Sequence, residues 1–170
     1  RGAFNRIARL SPEERAKGVV CASAGNHAQG VALAAQLLGI KSTVFMPNGA
    51  PIPKFKATQG YGATVHFHGT TIDEALIAAS EFSQNTGAIF IHPFDHEDIV
   101  AGQATIGLEI LEQNPNVKTV VVCLGGGGLL AGSAMAIKET RPDVKVIGVQ
   151  AAEAAAYPPS LAAGAPQKLP

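Results

Sequence analysis

Two short stretches of the sequence carry residue types and spacings suited to chemistry. The first is S-A-G-N-H, with Ser23, Ala24, Gly25, Asn26 and His27 set between an apolar run and a helical pattern. The first N–H groups of a helix lack internal partners and lie at the positive end of its dipole, so they attract a carboxylate or a phosphate. Gly25 lets the backbone approach a ligand, and the Asn26 amide can donate or accept. The same residues also suit an ordinary N-cap turn, in which Ser23 or Asn26 satisfies the helix. The second stretch is Gly125, Gly126, Gly127 and Gly128, between an apolar run and a helix that starts at Leu129. Consecutive glycines turn their N–H groups into a nest for phosphate, at the carboxyl end of a strand where α/β proteins collect ligands. The alternative there is a flexible turn. An aspartate at Gly127 is expected to act through the ligand rather than through the fold.

Other candidates offer less. Gly126, Gly128 and Ala131 satisfy G-x-G-x-x-A, but Gln150 stands where a dinucleotide site needs an acidic ribose partner. His66, His68, His92 and His96 share no tight ligand spacing with a carboxylate or cysteine cluster, so no metal site is assigned. Lys54 and Lys56 point to different faces of a helix and read as solvated. Cys21 and Cys123 read as small buried apolar groups. No G-x-S-x-G or Ser-His-Asp arrangement suggests acyl transfer.

The elements that must position these stretches are strands and helices in alternation. Six runs rich in Val, Ile and Phe, at 18–22, 42–46, 64–68, 88–92, 119–124 and 145–149, predict buried strands. Their starts lie roughly 20 to 30 residues apart, the spacing of βαβ units. Ser11-Pro12-Glu13-Glu14 forms a capping box with Pro at N1. A helix over 26–38 closes at Gly39, and one over 71–85 carries Asp73 and Glu74 in its first turn and Gly87 after its end. Two more end before Pro115 and Pro142. The least regular connection, Pro93 to Asp98, suggests a boundary between a lobe at 1–95 and a second at 96–170 that holds the tetraglycine loop.

Composition excludes several classes. The 170 residues are 46% apolar and 15% charged, with thirteen basic against thirteen acidic side chains. That balance argues against a nucleic-acid partner. No apolar run reaches the ~18 residues of a membrane span, and no signal peptide is visible. Two cysteines give no disulfide framework, which suggests a reducing, cytoplasmic setting.

S-A-G-N-H-A-Q-G (23–30) and V-C-L-G-G-G-G-L-L-A-G (122–132) resemble the fold-type II pyridoxal-phosphate enzymes, in particular the threonine ammonia-lyase branch, with serine racemase nearby. The stretches 46–63, 92–110 and 147–151 agree, so the resemblance covers nearly the whole chain. It implies the tryptophan synthase beta-like fold: α/β, parallel sheets with flanking helices, two lobes, truncated here at both ends. It implies pyridoxal 5'-phosphate as cofactor, with Asn26 on the phenolic oxygen and Gly125, Gly126, Gly127, Gly128 and Leu129 on the phosphate. Ser23, Ala24, Gly25, Asn26 and His27 would receive an amino-acid substrate. The implied reaction takes L-threonine or L-serine to a 2-oxo acid and ammonia, in cytoplasmic amino-acid metabolism such as isoleucine biosynthesis, by a homo-oligomeric parent.

The same resemblance implies two departures. The family's Schiff-base lysine lies in S-F-K-x-R-G-A, and the chain opens Arg1-Gly2-Ala3. The lysine is therefore expected two residues before Arg1, and no catalytic residue is assigned within the chain. The group facing the pyridine nitrogen is expected beyond Pro170, so the 170 residues alone are expected to be inactive. Racemases of the family carry a serine where Ala24 stands and a metal-binding Glu where Gln150 stands, which favours the lyase. The alternatives are a racemase-like or other fold-type II enzyme, a non-catalytic nucleotide- or anion-binding module, and an NAD-dependent oxidoreductase.

Overall fold

A computed structural model describes residues 1–167. Two helices, α1 (Gly2–Ala8) and α2 (Pro12–Lys17), precede β1 (Val19–Ala22). Then α3 (Asn26–Leu37), β2 (Ser42–Met46), α4 (Ile52–Gly60), β3 (Thr64–Phe67), α5 (Ile72–Thr86) and β4 (Ile89–Phe90) alternate. The chain continues through α6 (Glu97–Gln113), β5 (Thr119–Cys123), α7 (Gly128–Thr140) and β6 (Lys145–Val149), and ends in a 3-10 turn at Ala152–Ala154 and α8 (Tyr157–Ala163). The strands form a sheet ordered β3-β2-β1-β4 and a pair β5-β6, all parallel.

β1 sits inside the first sheet and is covered on both sides. Val19 and Cys21 face a cluster with Ile7, Val31, Ala35, Val44 and Met46, while Val20 and Ala22 face Ala75 and Ala79 of α5. The two faces follow from the period of two along a strand. α3 turns Ala28, Val31, Ala32, Ala34 and Ala35 inward, and these small residues bring its axis close to α1. The expected capping box forms at Ser11 with Glu14, and the structure adds a second at Thr71, where Glu74 accepts the N-cap N–H as well as lying in the first turn. Gly87 closes α5 in the left-handed conformation.

Several expected elements end earlier. β4 holds only Ile89 and Phe90, although the Ile91 N–H still donates to the Val20 carbonyl at 2.8 Å. β3 stops at Phe67 and β5 at Cys123, where the backbone turns into the loops. Helices α1 and α8 had no sequence expectation. α1 packs on both α3 and α6, and Asp98 holds it there by accepting Arg9 Nε at 2.8 Å and Arg6 at 3.4 Å. α6 and α7 form the tightest helix pair: a Cβ at Gly132 would overlap the Val100 carbonyl, so only glycine permits the approach.

Candidate cofactor and substrate site

In the order β3-β2-β1-β4, the chain winds one way from β1 to β3 and then crosses to β4 on the other side. The C-terminal end of β1 therefore lies at the topological switch point, where adjacent loops diverge and open a crevice. Ser23 to His27 occupy that point. The N-cap of α3 is Gly25, and no side chain caps the helix. Ser23 Oγ accepts only the Gly25 N–H, at 3.1 Å. The ordinary capping turn is thus not what these residues build, and the first N–H groups of α3 stay open for an anion.

His27 Nε2 lies 2.9 Å from the Ile91 carbonyl, which can only accept, so the proton sits on Nε2. Burial pushes the His27 pKa down, against the opposing effect of that carbonyl, and nearby His92 lowers it further. The neutral ring keeps Nδ1 as an acceptor. His92 Nδ1 accepts N–H bonds from Phe94 at 3.2 Å and Asp95 at 2.7 Å, and this orders the turn after β4. Burial also lowers the His92 pKa, with Asp95 opposing and His96 assisting. Ala24 is half-buried and offers only a methyl group.

The Lys54 side chain lies at the solvent-facing surface but is not free there. Its Nζ donates to Asn26 Oδ1 at 3.2 Å, because α4 packs on α3 and brings the two side chains together. Lys56 is exposed.

The glycine loop follows β5. Among the described residues, no acceptor takes the N–H groups of Gly125, Gly126 or Gly127. A Cβ at Gly126 or Gly128 would collide with Phe94, and one at Gly127 with the Tyr157 hydroxyl. Tyr157 Oη donates to the Gly126 carbonyl at 3.1 Å, and Gln150 holds Tyr157 by accepting its N–H at 3.1 Å. Gln150 thus anchors the start of α8. Gly127 has φ +98°, so a side chain there is strained as well as crowded, and an aspartate disturbs the loop itself as well as its ligand. Gly125 faces open space. A cleft of about 440 Å³ lies against Gly126, Gly127 and Gly128, bounded by Phe94, Asp95 and Tyr157.

The two motifs are joined by the turn after β4: His27 holds Ile91, His92 holds Phe94, and Phe94 covers the glycines. Phe94 and Tyr157 were not singled out from the sequence. Their one available signal was scarcity, as aromatic residues make up 5% of the chain. His66 stacks on Phe45 at 5.2 Å, which accounts for its place on β3. Among the described residues no three metal-ligating side chains cluster, and no helix is long and apolar enough to cross a membrane. Cys21 is buried, with its thiol pushed up to about 12 by desolvation. Cys123 is exposed, contrary to expectation, because alternate residues of β5 face solvent.

A parallel α/β scaffold with an open helix start at its switch point and an unpaired glycine nest defines a binder of an anionic, phosphate-bearing ligand. The family described as pyridoxal-phosphate dependent enzyme matches residues 1–170, and the chain belongs to it. It is 57% identical over 150 residues to an L-threonine ammonia-lyase of Thermotoga maritima, covering 88% of this chain and 37% of that protein. It superposes on a threonine deaminase of Solanum lycopersicum with a TM-score of 0.94 and 45% identity, covering 99% of this chain and 49% of the other. A maize serine racemase gives 0.94 and 37% identity, with 99% and 51% covered. The chain spans about two fifths of the curated relative and about half of the solved chains. Membership makes pyridoxal phosphate the cofactor and stands against the dinucleotide reading. The glycine loop fits that cofactor on its own terms, being a donor-only nest in which no Cβ fits at three successive positions.

Proposed function

We propose that the chain is part of a pyridoxal-phosphate-dependent ammonia-lyase that takes L-threonine or L-serine to a 2-oxo acid and ammonia. The observation that carries this reading is the uncapped start of α3 at the switch point, tied through Ile91 and Phe94 to the glycine nest. The lobes of the reading are 1–95, with the Asn26 loop, and 96–170, with the nest.

When bound, the cofactor supplies an electron sink for the negative charge left at the substrate's α-carbon. Gly125, Gly126, Gly127, Gly128 and Leu129 would hold its phosphate through N–H groups, with the dipole of α7 adding positive potential. Asn26 would donate to its ring oxygen. The open N–H groups of α3, together with Ser23 Oγ, would hold the substrate carboxylate, and Ala24 and Gly25 let it approach. His27, neutral and carrying its proton on Nε2, keeps Nδ1 as an acceptor for the substrate's polar groups. Phe94 and Tyr157 would flank the phosphate and hold the loop in shape, Phe94 by packing on the glycines and Tyr157 by its bond to the Gly126 carbonyl.

Ala24 favours elimination over racemisation, since a methyl group cannot protonate the opposite face of a carbanion. A cytoplasmic homo-oligomer serving isoleucine biosynthesis is the setting this reading implies. The test is the full-length protein with cofactor, assayed for 2-oxo acid from both amino acids and for D-serine by chiral chromatography. Abundant 2-oxo acid with little D-serine supports the reading. D-serine as the main product, or no product from either amino acid, overturns it.

A further inference from the structure

We infer that Lys54 is a positioning residue for the cofactor: its ammonium fixes the Asn26 carboxamide so that Nδ2 faces the ligand crevice. The inference rests on the functional reading above and deepens it. Lys54 Nζ lies 3.2 Å from Asn26 Oδ1. An ammonium has only donors, so the carboxamide must present its oxygen to Lys54, and the opposite orientation would set two donors face to face. Among the described residues no other hydrogen bond orients this amide, because Asn26 is exposed and makes no cap bond to α3.

Lys54 is itself well held. It lies in the first turn of α4, which enters through Pro51 and Pro53, and the buried Thr58 hydroxyl donates to its carbonyl at 2.9 Å. With the amide locked, Asn26 Nδ2 joins the free N–H groups of α3 in a donor-only set. The ammonium adds positive charge behind it. Without Lys54 the amide rotates, and half of its orientations offer an acceptor to an anionic ring oxygen.

The test uses the full-length protein as wild type and as Lys54→Met, Lys54→Arg, Asn26→Ala and the Lys54→Met/Asn26→Ala double variant. The readouts are the pyridoxal phosphate dissociation constant, the absorption maximum of the bound cofactor and the melting temperature of the cofactor-free protein. Lys54→Met is expected to weaken the cofactor about tenfold, the scale of a lost charge-assisted hydrogen bond, with its absorption maximum shifted and the melting temperature unchanged. Lys54→Arg is expected to restore most of the affinity. In the Asn26→Ala background, Lys54→Met is expected to add nothing, because Lys54 acts through Asn26. A Lys54→Met protein with wild-type affinity and spectrum overturns the inference while leaving the functional reading intact. An undiminished extra loss in the Asn26→Ala background overturns it too, as does a lowered melting temperature without rescue by Lys54→Arg. A wild-type protein that binds no cofactor overturns both.

Discussion

The entrances to α3 and α7 both leave helix N–H groups open at the end of a parallel strand, yet they are made of different materials. At α3 the donors are joined by side chains, Ser23, Asn26 and His27, and Lys54 sets the direction of one of them. At α7 the donors are backbone alone, and the neighbouring side chains, Phe94 and Tyr157, only cover them. The sheets behind them differ as well. Within these 170 residues, which span about half of the solved chains they match, β1 is at most 1% exposed at every residue, whereas Val121 of β5 is 62% exposed and Val149 of β6 is 50% exposed. A core on both faces of the four-stranded sheet fixes the first entrance from within. The second is shaped by groups that reach it from the β4 turn and from α8. The first site can therefore be retuned one side chain at a time, while the second responds mainly to an added Cβ.

The largest expected effect lies at the backbone entrance. In the full-length protein Gly125→Asp sets a carboxylate beside the phosphate without strain, since Gly125 faces open space. Repulsion of several kcal/mol at an effective dielectric of ~20 corresponds to at least about a hundredfold loss of cofactor affinity. Circular dichroism and cofactor titration check it: ellipticity should stay native-like, and a retained affinity would reduce this loop to a turn. Gly127→Ala should instead lower stability by about 1–3 kcal/mol through its backbone conformation, visible in urea denaturation.

The two cysteines report the unequal covering of the sheets. A thiol reagent should label Cys123 of the chain rapidly and Cys21 only after denaturant is added, because desolvation holds the Cys21 thiol near 12. Equal labelling rates would erase the contrast. Gly132→Val probes the α6–α7 contact, where the added side chain meets the Val100 backbone. Overpacking of that kind should cost about 1–3 kcal/mol in chemical denaturation.

Acid titration should give the smallest effect and the least difference between the two regions. Glu74 is held at about 2, below 4.5, first by the Thr70 and Thr71 N–H groups, and Asp143 at about 2, below 3.8, first by Arg141. Both pKa values are depressed in the folded state, so their stabilisation is complete above the unfolded values and is lost as pH falls toward 2. Both groups are exposed, so Glu74→Gln and Asp143→Asn should each flatten the acid limb of a melting-temperature profile only slightly. A steeper limb in either variant would contradict the assignment. His27 and His92 act at higher pH: their lowered pKa values make stability fall as pH drops below 6.5. His92→Gln should weaken that dependence.

What the sequence determined by itself is local. Ser11 and Thr71 specify caps within three residues of themselves, Gly87 ends a helix by its own φ, and the Val-rich runs alternate with helices at βαβ spacing. The two stretches proposed to hold ligands were visible for the same reason, since a helix start and a run of glycines are properties of neighbouring residues. The tertiary structure decided everything that depends on what approaches from elsewhere in the chain. It set the order β3-β2-β1-β4 that places Ser23 to His27 at the switch point. It brought Lys54 onto Asn26 across 28 positions, and set Phe94 and Tyr157 over the glycines. Within the 170 residues it placed Cys21 between two layers and left Cys123 on a strand pair covered on one face only, although both lie in equally apolar runs. Local spacing sets which face a residue takes, but burial depends on whether another layer meets that face, and that is settled only when the layers assemble.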